Sequence, residues 1–109
     1  MILSTTDFIP GREITEVLDI ARGSTVRARS IGRDIFAGLK NLVGGEISEY
    51  TKLMADAREQ AIDRMIADAE VLGADAIINV RFITAGVMQG ASEIVAYGTA
   101  VKLKWSGRI

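Results

Sequence analysis

The chain has 109 residues, of which 49% are hydrophobic and 25% charged, and this composition is typical of one folded domain spanning residues 1–109. It contains no cysteine and no histidine, which excludes disulfides, thiolate nucleophiles, imidazole bases and metal sites built from thiolate or imidazole ligands. Thirteen basic against fourteen acidic side chains give a net charge of −1, so no global field attracts nucleic acid or an anionic membrane. With no recognisable catalytic constellation left, we predict a protein that is not an enzyme and needs no cofactor.

The first residues have neither the basic region nor the long apolar stretch of a signal peptide. No apolar run approaches the roughly 18 residues that a membrane-spanning helix requires. The cytoplasm is therefore the expected location. The six aromatic residues are too scattered to form a stacking platform for nucleic acid, so we expect neither a nucleic-acid nor a membrane partner.

The first third of the chain predicts one long strand. Residues 2–6 are compatible with a short strand before the turn at Pro10-Gly11. From Glu13 to Ser30 apolar side chains recur at even positions, which indicates a strand with one apolar face. The alternation continues across Gly23, which favours one strand bent at that glycine, with a hairpin there as the alternative.

After Gly32 the spacing of the apolar residues changes to that of an amphipathic α-helix. Residues 35–43 predict a short amphipathic helix that ends at Gly44-Gly45. A long helix is predicted from about Glu46 to Leu72, and it ends at Gly73. At 1.5 Å per residue this helix is about 40 Å long, whereas a compact domain of this size has a radius of gyration of about 13 Å. The long helix is therefore expected to reach past its own core.

Two further strands are predicted at Ala76–Thr84 and Glu93–Trp105, joined by a glycine-containing loop over residues 85–92. The predicted fold class is α+β. Its antiparallel three-stranded sheet has the last strand in the middle, and one short and one long helix cover one face.

That sheet has two faces, and the helices can cover only one of them. Even positions of the strand beginning at Ala76 and odd positions of the last strand are expected to face the helices. The opposite face then exposes these apolar residues: Val17, Ile77, Ile83, Ile94, Ala96 and Ala100. Because such a face is costly to leave in water, we predict that a second copy of the chain covers it.

Two segments carry a family resemblance. The run Gly32–Glu46 and the later Gly73-Ala74-Asp75-Ala76 resemble the YbjQ-like family of small bacterial and archaeal proteins, and the likeness covers Thr5 to Leu103. The resemblance implies a dodecin-like β-α-β-β subunit assembled into a pentameric ring, with two rings sometimes paired as a decamer. Members of the family that the chain resembles are described as heavy-metal-binding proteins. Their cellular function is not established.

The residue content disagrees with heavy-metal binding. Soft metals prefer thiolate or imidazole ligands, and this chain has neither, so a site built from carboxylates, carbonyls and its four methionines would be weak and unselective. Met54 and Met65 lie on the apolar stripe of the long helix, where methionine ordinarily fills the core. Glu46 and Glu49 could hold a hard cation, but acids in a first helical turn more often favour the helix dipole. We therefore predict no metal site.

Two groups of residues are candidates for binding a small anionic ligand. Arg27, Arg29 and Arg81 are expected on the sheet face away from the helices, where a ring would repeat them as a positive collar. The alternative is a set of salt bridges between subunits, with Glu93 or Asp19 as the acid. Gly44 and Gly45 precede a helix as in a phosphate-binding loop, although Glu46 would place a negative charge beside the phosphate.

The function predicted from these features is that of a homo-oligomeric, non-enzymatic protein, a scaffold or a small-ligand binder, assembled as a pentamer or decamer. The alternative is a metal-ion or small-anion binding protein, as the family description indicates. The predicted ligand-binding residues are Arg27, Arg29, Arg81, Gly44, Gly45 and Glu46.

Overall fold

The structure, a computed structural model, describes residues 1–27, 47–88 and 91–105. Within these ranges the elements are β1 (Ile2–Leu3), β2 (Arg12–Arg27), α1 (Ile47–Val71), β3 (Ala76–Met88) and β4 (Ala91–Trp105). The strands form one sheet in the order β1-β3-β4-β2. The α+β class and the long helix are confirmed, whereas the predicted short helix over residues 35–43 lies outside the described residues.

The described sheet has four strands, not the predicted three. β4 pairs antiparallel with β2 on one side and with β3 on the other, which is the central position expected for the last strand. β1 pairs parallel with β3, with Ile2 opposite Ala76 and Leu3 opposite Ile77. The purely antiparallel sheet was therefore wrong. A two-residue strand is too short to produce an alternating pattern, which is why its pairing could not be read from the sequence.

The predicted loop between β3 and β4 is mostly strand. β3 continues to Met88 and β4 begins at Ala91, so the ladder includes the pairs Ala85 with Glu93 and Gly86 with Ser92. The glycines of this segment permit an extended ladder as readily as a loop. The predicted loop was therefore too long.

Gly23 lies within a continuous strand, as predicted, and its pairing with Ala96 interrupts nothing in the β2–β4 ladder. The glycine is required by the helix rather than by a turn. A Cβ atom at this position would overlap the backbone of Ala61 and Met65 in α1. The absence of a side chain thus allows α1 to lie directly on β2.

The helix covers the sheet face opposite to the one predicted. Its core cluster includes these residues of the sheet: Ala21, Ile77, Val80, Ile94, Ala96 and Ala100. Ile77, Ile94, Ala96 and Ala100 had been assigned to the uncovered face, so that assignment was wrong. Alternation correctly grouped the residues of β4 by face, but it does not say which face a helix prefers. The covered face combines small residues, which let α1 approach closely at Gly23, with the larger Ile77 and Ile94.

Irregularities in two strands also shift the alternation. β2 has breaks in register between Ile14 and Glu16 and between Val17 and Asp19. The two breaks cancel, so Ile14 and Ile20 lie on the same face, and because α1 covers the other face Ile20, expected to face inward, is 63% exposed while Ala21 is fully buried. In β3 the register shifts between Ile78 and Arg81, where Asn79 has a positive φ of 53°.

The N-terminal segment holds the irregularity of β3 in place. The N–H of Asn79 donates to the Thr6 carbonyl at 3.0 Å, and the N–H of Val80 donates to the Ser4 carbonyl at 2.9 Å. These bonds satisfy backbone groups that the bulge removes from the regular ladder. The segment that follows β1 therefore supports the shape of β3.

The helix ends as the sequence predicts. Gly73 has a φ of 77° and donates its N–H to the Glu70 carbonyl at 3.0 Å, while Ala74 donates to the Ala69 carbonyl at 3.1 Å. This pair of bonds is the Schellman arrangement, for which glycine is favoured because it adopts positive φ without strain.

Candidate functional site

The sheet face opposite α1, which we call the open face, exposes several large apolar side chains. Val17 is 64% exposed, Ile20 63% and Ile83 51%. Gly23 and Ala96 lie on the side of the sheet that faces α1. Because successive residues of a strand alternate between faces, their neighbours Arg22 and Tyr97 lie on the open face. The open face is therefore an apolar surface with polar groups among its members.

Two arginines and a tyrosine form one row across the open face, which we call the cationic row. Tyr97 of β4 is the register partner of Arg22 in β2 and of Arg81 in β3. Since adjacent strands lie about 4.8 Å apart, the Cα atoms of the two arginines are about 10 Å apart. Tyr97 is half-buried between the two exposed arginines.

Arg81 is fixed in place by the N-terminal segment. Its Nη1 donates to the Thr5 carbonyl at 2.9 Å and to the Val80 carbonyl at 2.9 Å. A guanidinium has five N–H donors, so these two bonds orient the group without exhausting it. Arg81 is thus a pre-positioned cation at one end of the cationic row.

Arg22 lies at the other end, beside a cleft of about 400 Å³. The cleft is lined by Arg22, Gly23, Ser24, Asp68, Glu93 and Val95. The Asp68 carboxylate accepts the backbone N–H of Arg22 at 3.0 Å, and the Arg64 guanidinium donates to the Ser24 carbonyl. Both helix side chains therefore satisfy polar groups at the outer edge of β2.

The structure separates the predicted ligand-binding residues. Arg81 lies on the face away from the helix, as expected, but its cationic neighbour across the sheet is Arg22. The backbone of Arg27 pairs with Ser92, toward the far end of the ladder. Arg29, Gly44, Gly45 and Glu46 lie outside the described residues, so the phosphate-binding loop and most of the collar stay predictions.

Sequence reasoning missed Arg22 because the segment Arg22-Gly23-Ser24 was interpreted only as a bend. Arg22 also shares the parity of Ile20, which the sequence assigned to the side facing the helices. No signal in the sequence indicated that Arg22 and Arg81 pair with the same tyrosine.

The described residues contain no group of three or more histidine, cysteine, aspartate or glutamate side chains arranged to hold a metal ion. Met65 is fully buried and Met54 packs against the same cluster, which confirms the prediction that both belong to the core. Among the described residues no helix combines the length and apolarity needed to cross a bilayer. The cytoplasmic location stays a prediction.

Comparison with known families identifies the chain's relatives. A family model named YbjQ and described as "Putative heavy-metal-binding" matches residues 1–104. The chain belongs to this family. A UPF0145 protein of Methanosarcina acetivorans is 59% identical over 103 residues, covering 94% of this chain and 97% of the relative. A UPF0145 protein of Psychromonas ingrahamii is 56% identical over 104 residues, covering 95% and 99%.

A solved structure shares the fold of this family member. It is a protein with unknown function from Pediococcus pentosaceus, assigned to the DUF74 family, and it aligns with a TM-score of 0.62. The alignment covers 95% of this chain and 98% of the other, at 18% sequence identity. At that identity the likeness concerns the fold alone.

Proposed function

We propose that the protein is a non-enzymatic, self-assembling scaffold or small-ligand binder whose subunits meet through the open face. The observation that supports this proposal is the exposure of Val17, Ile20 and Ile83 on one side of the sheet. Apolar side chains exposed together on a sheet face are typical of interaction surfaces. Covering them contributes about 25 cal/mol for each Å² of apolar surface removed from water.

The edge of β2 favours assembly through the face rather than by strand addition. Around Arg22 and Ser24 the outward backbone groups are already bonded to Asp68 and Arg64 of α1. Nearer its start, β2 carries register breaks and the exposed acids Glu13 and Glu16. Bulges, charges and a covering helix are features that discourage edge-to-edge pairing.

The proposed assembly is a dodecin-like ring of five subunits, alone or paired as a decamer. Its basis is the resemblance to the YbjQ-like family together with the proportions of the subunit. α1 has 25 residues and is about 37 Å long, and β2 has 16 residues and is about 50 Å long. Elements of this length give each subunit long faces through which a neighbour can bind.

The alternative function is metal or small-anion binding, and the two need different ligands. The whole chain has no cysteine or histidine, so it lacks the thiolate and imidazole ligands that soft metals prefer. Anion binding is supported by Arg22 and Arg81 in the cationic row. We therefore retain a small anion, rather than a heavy metal, as the second candidate.

The test is the mass of the protein in solution, measured by sedimentation velocity and native mass spectrometry at micromolar concentration. We expect a pentamer or decamer for the wild type and smaller species for Val17→Lys, which places a charge on the open face. The matched control is Val71→Lys, because Val71 is 88% exposed at the end of α1, away from the open face.

The control should keep the wild-type mass, since lysine is favourable at a helix C-terminus. A monomeric wild type would contradict the proposal. So would a Val17→Lys variant that assembles as the wild type does.

A further inference from the structure

We propose that two copies of the chain pair edge to edge through β3, so that their sheets join into one continuous antiparallel sheet. The surface concerned is the outer edge of β3 from Phe82 to Gly86, which we call the free edge. This contact goes beyond the proposed function, because it joins the edges of two sheets and leaves the open face to a different neighbour.

β3 has a backbone partner on its outer side only over its first half. β1 pairs with Ala76 and Ile77, and the segment that follows β1 accepts hydrogen bonds from the N–H groups of Asn79 and Val80. The Arg81 guanidinium then donates to the Val80 carbonyl. Past Val80, the described parts of the chain provide no further backbone partner on this side of β3.

The backbone groups that point outward at the free edge follow from alternation. The N–H of Val80 points outward, since it donates to the Ser4 carbonyl. Successive residues of a strand direct their backbone N–H and C=O groups to opposite sides, and the register with β4 is unbroken over this segment. Phe82, Thr84 and Gly86 therefore present their N–H and C=O groups at the free edge, and all three residues are exposed.

The free edge lacks the features that protect edge strands from pairing. Residues 82–91 include no charged side chain and no proline. β2, the other long edge of the described sheet, has register breaks, exposed acids and backbone groups bonded to Asp68 and Arg64 of α1. Protection at one edge and none at the other is expected if a strand covers the free edge in the assembled protein.

The partner that fits the free edge is β3 of a second copy. Among the described strands β1 has only two residues and the edge of β2 is protected, which leaves β3 as the available edge. Because the free edge is uncharged, its pairing with itself brings no like charges together. Two such edges related by a two-fold axis run antiparallel, and the contact closes with two copies.

The outward backbone groups select one register for this pairing. When the two-fold axis passes through Thr84, each Thr84 faces its own counterpart, and Phe82 faces Gly86 of the second copy. These three pairs exchange about six backbone hydrogen bonds, two for each pair. Moving the axis by one residue in either direction leaves only two pairs within the free edge, so the register centred on Thr84 satisfies the most groups.

The same register covers apolar side chains on both faces of the sheet. Phe82 is 46% exposed and Ile83 51%, and alternation places them on opposite faces. Phe82 lies beside Gly86 of the second copy, where a Cβ atom would meet nothing within 4 Å and an aromatic ring has room to pack. Ile83 lies beside Ala85 of the second copy. The pairing thus adds apolar contacts to the backbone hydrogen bonds.

Symmetry determines what this contact does to the proposed assembly. A two-fold contact joins subunits in pairs, so it cannot repeat between neighbours around a ring of five. If the open face forms such a ring, the free edge joins two rings and the product is a decamer. If the open face forms no ring, the free edge produces a dimer.

The experiment places charges at Thr84, the residue that faces its own counterpart. Thr84→Lys and Thr84→Glu each bring two like charges together, and each should halve the mass measured by sedimentation velocity and native mass spectrometry. An equimolar mixture of the two variants should recover the wild-type mass, because each lysine then faces a glutamate. The matched control is Gln60→Lys, which adds the same charge at an exposed position on α1 and should keep the wild-type mass.

The mixture also shows that the separate variants are folded. Charged side chains are well tolerated on an exposed edge strand, so both variants should keep the wild-type far-ultraviolet circular dichroism. Loss of pairing that the mixture does not reverse would overturn the inference, since Thr84 would then not face its own counterpart.

The masses separate failure of this inference from failure of the proposed function. A wild-type pentamer, or a wild-type mass that both Thr84 variants keep, would overturn the inference and leave the open-face assembly intact. The free edge would then be available to an extended strand of another protein. A wild-type dimer that Thr84→Lys splits and Val17→Lys does not would support the inference and overturn the proposed ring.

Discussion

The two faces of the sheet differ in how completely the chain covers them. Under α1 the sheet presents small residues such as Ala21, Gly23 and Ala96, all fully or nearly fully buried. On the open face Val17 and Ile20 are more than 60% exposed. Larger apolar residues are also buried under α1, as at Ile77 and Ile94, so the faces differ in how much of their apolar surface is covered.

Where α1 lies closest to the sheet, at Gly23 of β2, the absence of a side chain makes the close approach possible. Small side chains bring the backbones of β2 and α1 near enough for the buried Thr25 hydroxyl to donate to the Ala57 carbonyl at 3.2 Å. Large side chains on the open face leave surface for another molecule. α1 completes one face; on the other, Ile2 and Ile9 pack against a second cluster around Val101, and the exposed remainder is proposed to be completed by assembly.

Adding a methyl group under the helix should have the largest effect on stability. Gly23→Ala places a Cβ atom against the backbone of Ala61 and Met65, which cannot move aside as a side chain would. We expect a loss of about 3 kcal/mol in the free energy of unfolding, measured by urea denaturation. The matched control is Gly86→Ala, because a Cβ atom there meets nothing within 4 Å.

Gly86→Ala should change stability by less than about 0.5 kcal/mol. Equal losses at the two glycines would show that α1 does not lie as close to β2 as the structure places it. Retention of the helix can be followed by far-ultraviolet circular dichroism in both variants.

Removing the polar link at the edge of β2 should have an intermediate effect. Asp68→Ala leaves the Arg22 backbone N–H without its carboxylate acceptor, and we expect a loss of about 1 kcal/mol by urea denaturation. Asp63→Ala serves as control, since Asp63 is an exposed acid on the same helix. A control that loses as much as Asp68→Ala would indicate a general effect of helix charge instead of an edge-specific bond.

The smallest effect is expected at the far end of the open face. Arg12 stacks over the ring of its register partner Trp105, with the guanidinium carbon 4.0 Å from the ring centroid. Arg12→Gln should lower the free energy of unfolding by about 0.5 kcal/mol. It should also change the fluorescence of Trp105, the single tryptophan of the chain. Lys104→Gln is the comparison, because its 3.6 Å ion pair with Glu13 is exposed on both sides.

That surface ion pair should contribute little measurable stability. If Lys104→Gln lowers the free energy of unfolding more than Arg12→Gln does, the stacking of Arg12 on Trp105 is not the stronger of the two interactions. Unchanged tryptophan emission in Arg12→Gln would contradict the stacking itself.

Local signals in the sequence were sufficient to place the long helix and the long strands. Gly73 predicted the end of α1, because a residue of positive φ closes the helix there. The continuation of β2 through Gly23 was also predicted correctly. These features depend on residues close together in the chain, so a single sequence contains the information for them.

The candidate site was predicted only in part. Arg81 was expected on the face away from the helix, and the structure places it there. Its partner in the cationic row was not predicted, because the pairing of Arg22 and Arg81 with Tyr97 depends on the register of two separate ladders. Bulges at Val17 and Asn79 change that register, and the periodicity of the sequence does not reveal them.

By itself the sequence determined the fold class, the positions of the long elements and the absence of thiol and imidazole chemistry, because composition and periodicity are local properties. Only the tertiary structure decided which sheet face the helix covers and which side chains share a row. Both depend on how closely backbones approach and on single-residue shifts in register, and neither is a property of any one segment.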